Sequence, residues 1–436
     1  MINLQVLKLL WRSHDIRKRI LVVLGIIIIF RVLAHVPVPV ADPATLSEFL
    51  RNLFESNRLL AFVDLFSGGA LANFSIVLMG LGPYINASII MQLATQVIPS
   101  LKELQKEGEQ GRAKINQYTR LLTLPLAIAQ SIGTIFFIRR LSTQLGQVDV
   151  IGHPKLGQWL MMIAVITAGS MLLMWLGELI SANGIGNGIS LLIFAGIVVS
   201  LPSMAGQFWE LVRTDPSKVL TLVGFVGAAL ASIYLIVKLN EGQRTIRVSY
   251  AKRIQGARAY GGVESILPIR VLTAGVVPII FAVAFLSVPT FLGQVFSGAQ
   301  SSWLASLAAD LTVWFQPNHL IYTVAYFMLV VAFTFFYTGV VFNAKDIAEN
   351  LQKQGGFIPG IRPGNQTAIY LKRIVNRINL FGAVSLGTIA ILPFIGERLT
   401  GSSFLTFGGT GVLIVVSVAI ETLRQLESQA VTTAYR

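Results

Sequence analysis

The sequence predicts an all-α polytopic membrane protein that crosses the bilayer about ten times. Of its 436 residues, 54% are hydrophobic and only 12% are charged, whereas soluble domains carry about 25% charged residues. The mean hydropathy is +0.70. Uncharged apolar stretches recur along the chain, and about 20 such residues are enough for a spanning helix. Composition and segment length together therefore exclude a soluble globular fold.

The ten predicted spans are the apolar stretches between charged residues or prolines. The first follows a basic N-terminal arm, and we interpret it as a retained span because no small-residue cleavage site follows it. The spans cover about 20–40, part of 74–99, 120–139, 155–178, 185–208, 218–238, a stretch after 270, 319–343, 377–397 and 404–421.

The distribution of basic residues predicts the orientation. With the N-terminus inside, 25 of the 34 Lys and Arg residues fall in cytoplasmic segments, as the positive-inside rule requires. An even number of spans then places both termini in the cytoplasm. The formal net charge of +14 also fits attraction to anionic membrane lipids or to acidic partners.

The midpoint near Met204 allows two inverted five-helix halves. The N-terminal half would be 1–206, with spans one to five. The C-terminal half would be 207–436, with spans six to ten and long cytosolic loops at about 239–270 and 344–377.

No reactive constellation is visible in the sequence. There is no cysteine, and the four histidines are scattered. The sequence has no His-Glu-x-x-His pair for zinc and no Gly-Lys dipeptide for a phosphate loop. We therefore expect no metal, no cofactor and no enzymatic activity. Energy for any work must come from a partner or a gradient.

Two non-enzymatic alternatives to a channel remain open: a secondary transporter or lipid flippase, and a membrane scaffold subunit without a pore. Coupled carriers usually keep ionisable side chains at the midplane, and the predicted spans have few. Arg31, in the first span, is the main exception, and we expect its side chain to snorkel toward the outer interface.

The most informative stretch is 66–93, which reads FSGGALANFSIVLMGLGPYINASIIMQL. It begins like a short helix and ends like a span. Gly68 and Gly69 can separate the two, and Gly82-Pro83 can kink the span. The first part is too short to cross the bilayer, so we expect it to fold back into the protein.

This stretch resembles the plug and second span of the SecY family. The resemblance extends in order through EGEQGRAKINQYTRLLTL from Glu107, MWLGELISANGIGNGISLLIFAGI from Met174, VSYAKR from Val248, AGVVPIIFA from Ala274, FIPGIRPGNQTAIYL from Phe357 and FGGTGVLIVV from Phe407. It implies ten helices around an hourglass pore in the bacterial plasma membrane.

The resemblance also implies a ring of apolar side chains at the waist of the pore, contributed by the second, fifth, seventh and tenth spans. Spacing of four residues within the second span, and again within the fifth, places each set on one helix face. A narrow aliphatic ring blocks ions by dewetting and offers no fixed charge to a passing polypeptide. The seven matching positions, called the apolar ring below, are Leu81, Ile85, Ile89, Ile189, Ile193, Ile280 and Ile414.

By the same resemblance, residues 64–73 form the plug segment that closes the ring from outside. Its small residues allow close packing. An interfacial amphipathic turn is the alternative. The positions are Asp64, Leu65, Phe66, Ser67, Gly68, Gly69, Ala70, Leu71, Ala72 and Asn73.

Two basic cytosolic loops are candidate docking sites. In the sixth-to-seventh loop, IRVSY from Ile246 alternates like a strand, which predicts a β-hairpin. In the eighth-to-ninth loop, Arg362 lies in PGIRPG, where prolines and glycines favour a rigid turn. The resemblance implies that these loops dock the motor ATPase SecA or a ribosome through Arg362, Arg244, Arg247, Lys252, Arg253 and Arg258.

The implied function is a protein-conducting channel that passes unfolded secretory polypeptides and releases transmembrane segments sideways. Its implied partners are the small subunits SecE and SecG, SecA, the ribosome, signal peptides, nascent polypeptides and membrane lipids. Two departures from the family pattern stand out. Residues 181–183 replace commonly charged positions, and Leu272-Thr273 replaces an asparagine of the lateral gate.

Overall fold

The computed structural model describes residues 13–39, 67–144, 154–214, 219–250, 253–255, 258–260, 264–296, 301–316, 319–400 and 404–434. The helices in these residues are α1 (His14–Leu33), α2 (Gly82–Val97), α3 (Pro99–Lys106), α4 (Glu109–Gln144), α5 (Leu156–Ala182), α6 (Gly188–Thr214), α7 (Val219–Glu241), α8 (Val277–Phe296), α9 (Ser302–Trp314), α10 (Leu320–Val341), α11 (Ala344–Lys353), α12 (Asn365–Thr400) and α13 (Phe404–Ala434).

Every predicted span corresponds to a helix. Spans one to ten are α1, α2, α4, α5, α6, α7, α8, α10, α12 and α13, in that order. By length and composition alone, four stretches of the described residues can cross a membrane: Glu109–Arg139, Leu156–Ala182, Leu320–Lys353 and Asn365–Arg398. Gly188–Pro202 and Val277–Pro289 are shorter apolar helices.

The second span shows why length alone undercounts the crossings. The α2 helix has 16 residues, which at a rise of 1.5 Å per residue gives about 24 Å, less than the hydrocarbon core of about 30 Å. The preceding residues, 68–81, lie outside the helix and form mostly turns. The prediction that Gly82-Pro83 kinks this span is wrong, because Pro83 stands in the first helical turn, where its missing N–H costs nothing.

The sixth-to-seventh loop forms the β-hairpin predicted from IRVSY. Strand β1 (Gln243–Tyr250) pairs antiparallel with β4 (Glu264–Arg270). A short pair, β2 (Arg253–Gln255) and β3 (Arg258–Tyr260), lies between them in sequence. Strand β5 (Gly356–Phe357), from the eighth-to-ninth loop, pairs with the end of β1. The two basic loops, which we predict to be cytosolic, are therefore joined into one body, called the cytosolic body below.

This cytosolic body has an apolar core of its own. Ile246 and Val248 from β1 pack with Ile358 from the second loop and with Leu371 from the start of α12. Because α12 continues as the ninth span, the two basic loops are fixed to a spanning helix. Asn343 begins α11 by accepting hydrogen bonds from the backbone N–H groups of Lys345 and Asp346 at 3.2 and 3.5 Å.

The largest apolar cluster runs through both halves of the chain. It takes buried side chains from α1, α2, α5, α6, α8, α10, α12 and α13, including Phe30, Leu176, Tyr326 and Phe394. The apolar ring lies within this cluster. A second cluster packs Val38, Leu71, Phe74 and Leu78 against α4 and α5.

Candidate functional site: an apolar waist and its plug

All seven residues of the predicted apolar ring belong to the largest cluster. Leu81, Ile89, Ile193, Ile280 and Ile414 are buried members, while Ile85 and Ile189 are partly buried and pack against the cluster. Four spanning helices distant in sequence therefore bring branched aliphatic side chains together. The ring itself, as a pore constriction, remains a prediction.

Burial separates some ring positions from residues on the exposed faces of α2 and α6. In α2, Ile89 is 4% exposed and the adjacent Ile90 is 45% exposed. In α6, Ile193 is 2% exposed, whereas Val199 is 43% exposed. In α6, however, Ser190, Leu191 and Leu192 are buried as well, so burial alone does not single out the ring positions.

Capping and close packing at the start of α6 position its ring residues. Asn187 Oδ1 accepts from the backbone N–H groups of Ile189 and Ser190 at 3.1 and 3.3 Å, which satisfies two N–H groups at the helix start. A Cβ on Gly188 would lie 1.8 Å from the carbonyl oxygen of Gly177. Only glycine at 188 therefore permits this approach of α6 to α5.

The turn before α6 is held from two further helices. Arg19 of α1 donates to the carbonyl oxygen of Asn183 at 3.3 Å, and Gln429 of α13 donates to that of Gly184. Ser181 Oγ accepts from the Gly188 N–H at 2.9 Å. Of the residues 181–183 that depart from the family pattern, Ser181 bonds this turn through its side chain.

The two predicted halves of the chain contact each other through several pairs of helices. Among them, α2 and α4 contact α8, and α6 contacts α13. The contacts of α2 and α4 with α8 join the second and third spans to the seventh. Leu272, just before α8, is buried in the largest cluster. Leu272 therefore contributes apolar packing where the family pattern has a polar side chain, and Thr273 Oγ1 donates to the Arg270 carbonyl at 3.1 Å.

The described part of the plug segment, 67–73, packs inside the protein. Ala70 is fully buried and belongs to the same cluster as the apolar ring, whereas Leu71 belongs to the second cluster. Ser67 Oγ accepts from the Leu71 N–H at 3.3 Å. Asp64, Leu65 and Phe66 lie outside the described residues.

Backbone pairing ties the end of the plug segment to the end of the first span. Val38 N–H donates to the Phe74 carbonyl, and Ile76 N–H donates to the Val36 carbonyl, both at 2.9 Å. Phe74 has a positive φ of 42°, which is uncommon for a residue with a side chain. The chain thus reverses sharply between the plug segment and α2.

Arg31 contacts the plug segment, so the snorkelling prediction is incomplete. Its Nη1 donates to the carbonyl oxygen of Gly68 at 2.5 Å, and its side chain is half buried. Sequence reasoning missed this contact because it saw a charge near the end of an apolar run and no partner nearby in sequence. The same signal, a charge within a span, marks the residue for a functional role.

The loop arginines lie on the cytosolic body. Arg362 is exposed in a turn where Gly360 and Gly364 have φ of 82° and 92°, and its carbonyl accepts from Thr367 Oγ1 at 2.9 Å. Arg244 and Arg247 are exposed on β1. Arg253 begins β2 and Arg258 begins β3, while Lys252 lies outside the described residues.

A cavity of about 310 Å³ opens beside the start of α8, and no feature of the sequence predicts it. Its lining includes Arg270, Thr273, Tyr337, Glu421 and Arg424. Arg424 also donates to the Asn240 carbonyl at 2.8 Å, which fixes α13 to the end of α7.

Comparisons with known proteins agree with this architecture. The family model SecY matches residues 75–423. The protein translocase subunit SecY of Streptomyces galbus is 41% identical over 431 residues, covering 96% of each chain. A solved structure described as "The structure of a protein conducting channel" has a TM-score of 0.62 at 19% identity, covering 93% of this chain and 90% of that one. "Sec61 in the Canine ribosome-channel complex from the endoplasmic reticulum" has a TM-score of 0.57 at 18% identity, covering 93% and 90%.

The fold and the apolar cluster at the meeting of its two halves define a polytopic helical protein of the channel class, with ten spans. The chain belongs to the SecY family. It is a multi-pass protein of the bacterial plasma membrane. The family is one of translocation channels and not of catalysts.

Proposed function

We propose that the chain forms a passive protein-conducting channel, through which unfolded secretory polypeptides cross the plasma membrane. The observation that supports this most strongly is the gathering of the seven ring residues from four helices into one cluster. Aliphatic side chains at a constriction exclude water and ions when the channel rests. They also accept any polypeptide sequence, because they form no hydrogen bonds or ion pairs with it.

Sideways release would use the junction between the second and third spans on one side and the seventh and eighth spans on the other. The helices α2 and α4 contact α8 there, and both α2 and α8 contribute apolar side chains to the largest cluster. Apolar contacts can separate without leaving a buried charge unpaired. The halves 1–206 and 207–436 would then open like a clamshell, and a transmembrane segment would leave into lipid.

The experiment that tests the ring measures ion conductance of the full chain in planar bilayers. Ile85→Asn and Ile189→Asn wet the constriction and should make the resting channel leak. Ile90→Asn is the matched control, since Ile90 lies next to a ring residue in α2 but is exposed. Unchanged conductance in both ring variants would remove the ring assignment.

The energy source is a partner that binds the cytosolic body, either the motor SecA or a translating ribosome. The likeness to a channel described in a ribosome complex supports the ribosome. The exposed Arg362, held in a turn anchored to α12, offers a rigid cationic contact to either partner. SecE and SecG would complete the membrane complex.

Charge reversal at Arg362 tests this docking site. Arg362→Glu should slow motor-driven export in vesicles while the purified protein keeps its thermal unfolding temperature. Lys353→Glu is the control, because it makes the same change of charge at an exposed position at the end of α11. Wild-type export in Arg362→Glu, or equal loss in both variants, would remove Arg362 from the site.

A further inference from the structure

We propose that Arg31 is a positioning residue that holds the plug segment in the closed channel through its hydrogen bond to the Gly68 carbonyl. The inference rests on the proposed channel function. The main observation behind this proposal is the 2.5 Å contact between Arg31 Nη1 and Gly68 O, which joins the last turn of α1 to the plug segment.

The placement of Arg31 requires a compensating partner. It stands in the last turn of an apolar spanning helix, where a charged side chain is costly unless it reaches water or a polar group. Because a guanidinium presents several donors and cannot lose its proton, it offers a permanent cation to a backbone carbonyl. Hydrogen bonds from a charged donor are about twice as strong as neutral ones.

The backbone of Gly68 fits this role. Its φ is +69°, and a Cβ there would lie 2.9 Å from Gly196 Cα, 3.2 Å from Phe30 Cζ and 3.3 Å from Arg31 Nη1. The residue is therefore enclosed by α1 on one side and α6, a ring helix, on the other. A glycine at 68 lets the plug backbone enter this space and present its carbonyl to Arg31.

The end of α1 also holds the far end of the plug segment, but more weakly. Asn73 Nδ2 donates to the Ala34 carbonyl at 3.4 Å, a long hydrogen bond between neutral groups. Between the two attachments, Ala70 packs into the cluster of the apolar ring. Because Arg31 binds backbone, the attachment depends on the position of the plug segment and not on its side chains.

The test measures the open-to-closed ratio of single channels of the full chain, purified with its co-purifying subunits and placed in planar bilayers. We expect Arg31→Gln to raise the ratio on the order of tenfold, the factor that corresponds to losing one charge-assisted hydrogen bond. Arg31→Lys should remain near wild type, since an ammonium can also donate to a single carbonyl. Lys155→Gln should have no effect, because Lys155 is an exposed cation at the start of α5.

Deletion of residues 67–73 separates this inference from the channel proposal. The deleted channel should leak, and Arg31→Gln should add nothing to it, because the bond is already lost. A leaking deletion with an unchanged Arg31→Gln channel would overturn the role of Arg31 alone. A full tenfold effect of Arg31→Gln in the channel that lacks residues 67–73 would also overturn the role of Arg31 alone. A deletion that does not leak would overturn the channel proposal and the role of Arg31 with it.

Discussion

Gly68 in the plug segment and Gly196 in α6 pack backbone against backbone: a Cβ on Gly68 would lie 2.9 Å from Gly196 Cα. The neighbouring Gly69 has a similar φ of +83° but no atom within 4 Å of the position of its Cβ. Both glycines have a positive φ, but only at Gly68 would an added Cβ meet neighbouring atoms.

The glycine pair predicts unequal leaks. Gly68→Ala combines backbone strain with a clash against α6 and should displace the plug segment, so that resting ion conductance rises. Gly69→Ala adds only the strain of a positive φ, about 1 kcal/mol, and should leak less. Planar-bilayer recordings of both variants make the comparison. Equal conductance would mean that the approach to Gly196 does not hold the plug segment in place.

A second close approach predicts a stability effect in the N-terminal half. Gly169 in α5 is buried, and a Cβ there would lie 1.9 Å from the carbonyl oxygen of Ile76. Gly169→Ala should therefore cost about 1–3 kcal/mol, the range typical of overpacking. Gly227→Ala in α7, where the Cβ meets nothing within 4 Å, should be neutral or stabilising by up to about 1 kcal/mol.

Thermal unfolding of the purified protein in detergent measures both glycine variants. The expected order is Gly169→Ala below wild type and Gly227→Ala at or above it. If Gly169→Ala and Gly227→Ala unfold at the same temperature, the segment before α2 does not pack against α5 as closely as the structure shows.

A buried hydrogen bond joins the eighth and ninth spans. Thr338 Oγ1 in α10 donates to Asn379 Oδ1 in α12 at 2.9 Å, and both residues are buried. We expect a coupling free energy of about 0.6 kcal/mol, and at most about 1.7 kcal/mol, as for other hydrogen bonds between spanning helices. The measurement is a double-mutant cycle of Thr338→Val and Asn379→Leu, followed by unfolding in mixed micelles. Strictly additive effects would show that the two side chains do not interact.

The sequence predicts the spans well because each is a long apolar run bounded by charge, a signal that needs no tertiary information. The hairpin is visible for a similar reason, since the alternation around Ile246 and Val248 matches their burial on one face of β1. The prediction of a kink at Pro83 is wrong. A proline is tolerated both at the start of a helix and at a bend within one, and the turns at 68–81 show that Pro83 stands at a helix start.

Contacts between distant segments account for what the sequence missed. The bond between Arg31 and Gly68 joins residues 37 positions apart, and the approach of Gly169 to Ile76 depends on how α5 packs. The α9 helix (Ser302–Trp314) was not predicted, because its 13 residues are too few to register as a span. The ring positions came from the family pattern, and an isoleucine in a spanning helix carries no such information by itself.

The most direct test of the central claim is to crosslink a stalled secretory polypeptide to the channel from a photoreactive residue at position 85 or 189. Positions 90 and 199, exposed on the same helices α2 and α6, serve as controls. The account predicts strong crosslinks from 85 and 189 and few from 90 and 199. Crosslinks that favour 90 and 199, or that are absent from both ring positions, would contradict passage of the polypeptide through the apolar ring.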